Sequence, residues 1–361
     1  MSSEVNTQMT AAGISRRTPI RLDRRLTPLI GALCYPLFLG SAYGGMQGLA
    51  GAHSMGERLG ALFMTAASLA AAFAVPLAAA LAARRVARSS SGSLPDVQAY
   101  RLAHLAFAAP PLYTGIGVIT RVLGIGPLDF LIWLLLWVGL ALLVATTPAG
   151  TLPRKPRPYA ARAVAVHGSI ALAVLLVFLA WHLGNHALAL WSPALHGWAM
   201  KRLETIYRAR AVEPLLIIGM ALLVATGLRL AWRHTMLHGD GYRRLQTLTG
   251  FYLAAFVLSH LTAILVLARW QGHLDTATWA YESNAPVGFL GNAWNPRLLP
   301  HYLLAVWAVV THAGLGLRGV LRAHGVAGSA ANLVAQAATV MGAAASVAIS
   351  CALLGVHLGA S

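Results

Sequence analysis

The chain is 361 residues long, 58% hydrophobic and only 10% charged, with a mean hydropathy of +0.66. Soluble domains carry about a quarter charged residues, so most of this chain has lipid or other helices around it, and a separate soluble catalytic domain has no place to sit. The formal net charge of +17 would suggest nucleic acid in a soluble chain; in a membrane chain it reports topology, and no nucleic-acid partner is expected.

Residues 1–27 form a polar tail carrying Arg16, Arg17, Arg21, Arg24 and Arg25. Nine apolar runs follow, near 28–49, 59–83, 102–122, 128–147, 163–190, 211–233, 246–268, 299–320 and 330–357. Each is long enough for a hydrocarbon layer of about 30 Å. The first continues for about 20 apolar residues, which reads as a retained span rather than a cleaved signal. Backbone polar groups in lipid must be satisfied within the segment, so every run predicts a helix. The expected fold is an all-α polytopic membrane bundle: a basic tail, four N-terminal helices to residue 150, a four-helix unit over 151–325 with two long outer loops, and a final helix over 326–361. Cys34 and Cys351 stand in apolar runs at opposite ends, which supports neither a disulfide framework nor a zinc ribbon.

With the gaps assigned alternately, 19 of the 27 Lys and Arg residues fall on the N-terminal side. The positive-inside rule then puts the N-terminus in the cytoplasm and the C-terminus outside. Arg84, Arg85, Arg88, Arg154, Lys155, Arg157, Arg229, Arg233, Arg243 and Arg244 are cytoplasmic on this reading. The two long outer gaps, 191–210 and 269–298, carry Trp191, Trp198, Tyr207, Trp270, Trp279, Tyr281 and Trp294, much of which is an interfacial aromatic belt.

All ten acidic residues lie in tails, loops or helix ends, which argues against a coupled transporter with a midplane carboxylate. Histidine is the polar residue left inside. His182, His260 and His312 stand within the fifth, seventh and eighth helices, where an imidazole is costly unless ligated or hydrogen-bonded. Facing histidines in a bundle are a recurring way to hold haem b. His182 and His260 each lie about eight residues before the outer end of their helix, roughly 12 Å deep, and are therefore level. His312 is deeper, at roughly 18 Å. His104 and His167, near the cytoplasmic ends, read as snorkelling or hydrogen-bonding groups.

The segment from Arg244 to Leu261, with Thr249-Gly250 followed by an apolar run to Ser259-His260-Leu261, resembles the haem-ligand helix of the cytochrome b membrane subunits of succinate dehydrogenase and fumarate reductase. Ala180-Trp181-His182-Leu183-Gly184-Asn185 resembles that family's first core helix. Thr311-His312 through Gly316-Leu317-Arg318 resembles its last, and Val212-Glu213-Pro214 with Thr226-Gly227-Leu228-Arg229 its second. The resemblance covers about 163–322. It implies an outer haem iron held by His182 and His260, and it leaves His312 without a partner, because Leu223 stands where the second helix would supply a ligand. A single haem b is the expectation, with a five-coordinate haem on His312 or a His260–His312 pair as alternatives.

His301, beside Tyr302 at the outer start of the eighth helix, and Glu213, opening the sixth, are candidates for a quinone head, which needs a donor near the interface and a proton carrier; helix-end capping is the competing reading. His186, His196, His273, His301 and His357 offer metal donors together with Asp275 or Glu282, though in no recognised metal spacing. The resulting expectation is a haem b protein of a bacterial-type cytoplasmic membrane, passing electrons between a quinone and a soluble redox partner subunit. The chain carries no flavin or iron–sulfur motif of its own. The alternative is a non-redox bundle, such as a transporter, sensor or assembly factor, whose histidines serve packing.

Overall fold

The apolar runs become helices, and their breaks follow proline and loop chemistry. The computed structural model describes residues 26–89, 93–148, 150, 161–237, 239–272 and 278–359. The basic tail ahead of residue 26, Arg154, Lys155, Arg157, His273 and Asp275 lie outside them. Among the described residues the regular elements are all helical. Eight helices are long and apolar enough to cross a membrane, and one bent pair makes a ninth when taken together.

Helices α1 (Thr27–Ala50) and α2 (Met55–Ser89) form a hairpin across a short turn. They meet closely at Gly45, where a Cβ would come within 2.8 Å of the Thr65 amide nitrogen, the small-residue approach that packs helices in lipid. Pro36 inside α1 has no N–H for the carbonyl one turn back. That carbonyl, Ala32 O, instead accepts a 2.8 Å hydrogen bond from the buried Trp133 indole. Trp133→Phe would leave the carbonyl bare in a dry core at a cost of about 1–3 kcal/mol. A lowered thermal midpoint of the detergent-solubilised protein is the expected reading.

The run at 102–122, expected as one straight crossing, is instead two helices, α3 (Leu94–Phe107) and α4 (Ala109–Val122), bent by 68°. Pro110 and Pro111 explain the break: neither can donate to Ala106 or Phe107, and their rings clash with those carbonyls. Two legs of this length at this angle still span about 35 Å end to end. Tyr100 of α3 lies beside the Arg244 guanidinium, while Val122 O at the far end of α4 accepts from the Gln271 amide at 3.4 Å. The bent pair thus follows a single neighbouring helix along its whole length, as a broken span would. His104, expected near the surface, is fully buried in this pair against Phe251, with its Nδ1 2.7 Å from Tyr100 O.

The chain continues through α5 (Asp129–Thr146) to α6 (Ala161–Val174), a π-helical turn at Leu175–Leu179, and α7 (Ala180–Leu188), which together make one span. A short outer helix, α8 (Pro193–Tyr207), leads to α9 (Val212–Leu237). Next come α10 (Gly241–Thr262), which ends in a π-helical segment at Ala263–Trp270, and the single turn α11 (Trp279–Glu282). The hairpin of α12 (Leu298–Ala323) and α13 (Gly328–Leu353) closes the bundle, with Gly314 packed on Ala338 and Gly342 close to Trp307 O.

Helices α1 to α5, for which the sequence suggests no role, build most of the larger hydrophobic core. Tyr35, Tyr113, Trp133 and Trp137 interlock there edge to face. The core extends to Leu248 and Tyr252 of α10 and to Ala305 and Ala308 of α12. Tyr252 donates to the carbonyl oxygens of Pro300 and His301, 3.0 and 2.9 Å away. Arg297 pairs with Asp129 at 2.9 Å and lies over the Trp294 and Tyr113 rings. The N-terminal helices are therefore the rigid wall against which α10 and α12 are set. The α6–α7 span is different: its α6 half packs on α9 and its α7 half on α8 and α13, and only 6% of its most apolar stretch is buried, against 33% for α1.

Candidate functional site

The structure gathers histidines at two levels of the α6–α7, α9, α10 and α12 group. His167 and His182 are fifteen residues apart on one span, about four turns, so they share a side of it roughly 22 Å apart. His301 and His312 repeat this on α12, about three turns apart.

At the outer level His182 and His260 face each other with ring centroids 6.3 Å apart. Phe178 stacks on His182 at 4.8 Å, and Phe256 lies parallel to His260 at 5.3 Å. A π-helical segment adjoins each ligand candidate: Leu175–Leu179 ends three residues before His182, and Ala263–Trp270 begins three residues after His260. Such turns insert a residue and re-aim the helix face, and they concentrate at functional sites. His301 and Tyr302 join from α12. His301 is 2% exposed, its ring is 4.6 Å from Phe256, and its Nδ1 has no partner; Tyr302 meets His260 at 6.1 Å. Glu213 does not enter this group by its pairing. It forms an ion pair with Arg269 at the end of the α10 span.

At the inner level the structure sets His312 within electrostatic reach of His167, a pairing the sequence reading did not make. The surroundings of the two rings match. His167 Nδ1 lies 2.8 Å from Thr226 Oγ1, and that hydroxyl spends its one proton on Leu222 O at 2.6 Å. The hydroxyl can then only accept, so Nδ1 carries the hydrogen and Nε2 keeps its lone pair. His312 Nδ1 lies 3.1 Å from both Gln246 O and Thr249 Oγ1, and the Thr249 hydroxyl donates to Leu245 O. Again Nε2 is the basic nitrogen. The glycine after each threonine clears the ring: a Cβ on Gly227 or Gly250 would stand 3.2 Å from Cε1 of His167 or His312. Helix α9 therefore contributes a Thr-Gly cradle at this level. Arg162, Arg229 and Arg233 line an adjacent cleft of about 430 Å³.

Beyond the outer pair, two outer-loop elements fold over the end of α7. Ser192 caps α8 and Thr278 caps α11, each side-chain oxygen accepting from the amide three residues on. These turns bring His196 and Glu282 to His186, with donor atoms of all three within 4.8 Å of one another. His186 Nδ1 and Glu282 Oε2 are 3.5 Å apart, and His186 is in ring contact with His182 at 4.6 Å. His196 is 1% exposed, lies under Trp279, and has no hydrogen-bond partner on either ring nitrogen. Burial lifts the Glu282 carboxyl to about 7, with the His196 ring pulling the other way. Of the other outer histidines, His357 is taken up by Ala189 O at 2.8 Å.

No protein-family model, curated protein or solved structure matches the chain.

Proposed function

We propose that the chain is a membrane electron carrier of the haem b class, working between a quinone and a redox partner in a bacterial-type cytoplasmic membrane. The observation that carries this reading is the outer pair. His182 and His260 face each other with ring centroids 6.3 Å apart, and the two imidazoles would together hold one haem iron, which bundles bind through facing histidines.

The inner level favours a second haem rather than the single one implied by the resemblance. His167 and His312 both present a basic Nε2, and each has its Nδ1–H fixed by a threonine or carbonyl oxygen, the usual arrangement behind a metal-bound histidine. The three arginines of the neighbouring cleft suit the carboxylates of a haem edge. When bound, such groups supply reversible one-electron transfer.

The chain's own residues would do the rest. His301 and Tyr302 adjoin His260 and can donate to a quinone carbonyl, with the buried His301 imidazole as proton carrier. Glu213, held by Arg269, serves the fold rather than the quinone. The basic cytoplasmic loops offer a docking face for a soluble redox subunit.

Haem content of the purified protein, measured as pyridine haemochrome, tests the reading. About two haem b per chain are expected, falling to about one in His167→Ala and in His182→Ala. A chain free of haem after expression with ample haem supply would favour the non-redox alternative.

A further inference from the structure

The outer level holds a second group of donors that a haem on His182 and His260 does not use. His186 Nδ1 and Glu282 Oε2 are 3.5 Å apart, close to the edge of about 3.4 Å expected for a tetrahedron with bonds of about 2.1 Å. His196 completes the set, with all three donors within 4.8 Å of one another. A histidine that is 1% exposed with neither nitrogen bonded is costly to bury. The cost disappears once a metal takes one of its lone pairs. Trp279 shields the group from the outer side, its ring 4.8 Å from that of His196.

We infer that His186, His196 and Glu282 form a binding site for one divalent first-row transition metal at the outer end of α7. Two imidazoles and a carboxylate suit zinc, copper, iron or nickel over calcium or magnesium, which prefer all-oxygen sites. Three protein ligands leave at least one coordination position open, as in catalytic rather than structural zinc sites. The three ligands come from the end of a membrane span and from two outer elements, α8 and α11. The metal would therefore pin the outer loops to the bundle. None of the three is a haem candidate, so the site stands whether or not the haem reading does.

The test uses the full-length chain in detergent, stripped of metal with a chelator and titrated calorimetrically with Zn2+. One equivalent is expected to bind, with the affinity of Glu282→Gln and His196→Gln reduced about 100-fold or more, loss of a ligand costing at least what loss of a supporting residue costs. His357→Gln, which alters an outer histidine bonded to a backbone carbonyl, is expected to bind like the wild type. The two site variants are chosen for near-isosteric shape, and an unchanged gel-filtration profile shows that they fold. Should either prove unfolded, protection of His186 and His196 by Zn2+ from diethyl pyrocarbonate, read by mass spectrometry in the wild-type chain, gives the same decision. Wild-type protein that binds no Zn2+, site variants that bind it as tightly as wild type, or histidines that Zn2+ does not protect would overturn the assignment.

Discussion

Replacing His260 with alanine is expected to remove the proposed outer haem altogether while leaving the bundle assembled. The haem b content should fall from about two per chain to about one. The reasoning is local. His260 is level with His182 and 6.3 Å from it, and α10 is anchored independently by Leu248 and Tyr252 in the N-terminal core and by the Tyr252 bonds to α12. Truncating a ring at the edge of this arrangement removes a ligand without touching the wall. His186→Ala provides the contrast. Its ring touches that of His182 at 4.6 Å, yet it belongs to the neighbouring metal donors, so the haem is expected to stay while Zn2+ binding is lost. Were His186→Ala to lose haem as readily as His260→Ala, the division of the outer level into two sites would be wrong.

The second large effect concerns stability. Arg297→Met is expected to lower stability by about 3 kcal/mol, because removing one partner of a largely buried ion pair leaves the other charge uncompensated. Arg297 and Asp129 are only 14% and 17% exposed. Arg297 also lies over Trp294 and Tyr113, so the substitution strips two cation–π contacts as well. Asp129→Asn combined with Arg297→Met should recover much of the loss, since neither charge is then stranded. Thermal unfolding of both variants in detergent measures this. If the double variant were as unstable as the single one, the energy would lie in the ring contacts and not in the pair.

Much of the architecture is legible in the chain because lipid imposes simple rules. Runs of about 20 apolar residues must be helices, and the structure has helices at all nine predicted places. The exception in shape is 102–122. Hydropathy sees one continuous run there, whereas the bend depends on two adjacent prolines that hydropathy scores as ordinary apolar residues. The outer pair was readable because depth along a helix follows from counting residues, and His182 and His260 lie equally far from their helix ends. The inner pair was not. His167 sits one turn or so beyond Arg162 at the mouth of its span and looks like a surface group until helix packing seats its ring against Thr226 and Gly227 of α9. One signal was present in the sequence: Thr226-Gly227 and Thr249-Gly250 repeat the same dipeptide on two helices, and each proves to hold one histidine ring. His196 and Glu282 were beyond reach for a different reason. Their meeting with His186 is made by the fold of two outer loops, which carry no periodicity to count.

The two histidine levels are proposed to hold haem iron. A reduced-minus-oxidised optical spectrum of the purified chain, expressed with ample haem supply, tests it most directly. A haem b difference band present in wild type and diminished in His182→Ala and His260→Ala is the predicted result; a flat spectrum from well-folded protein would contradict it.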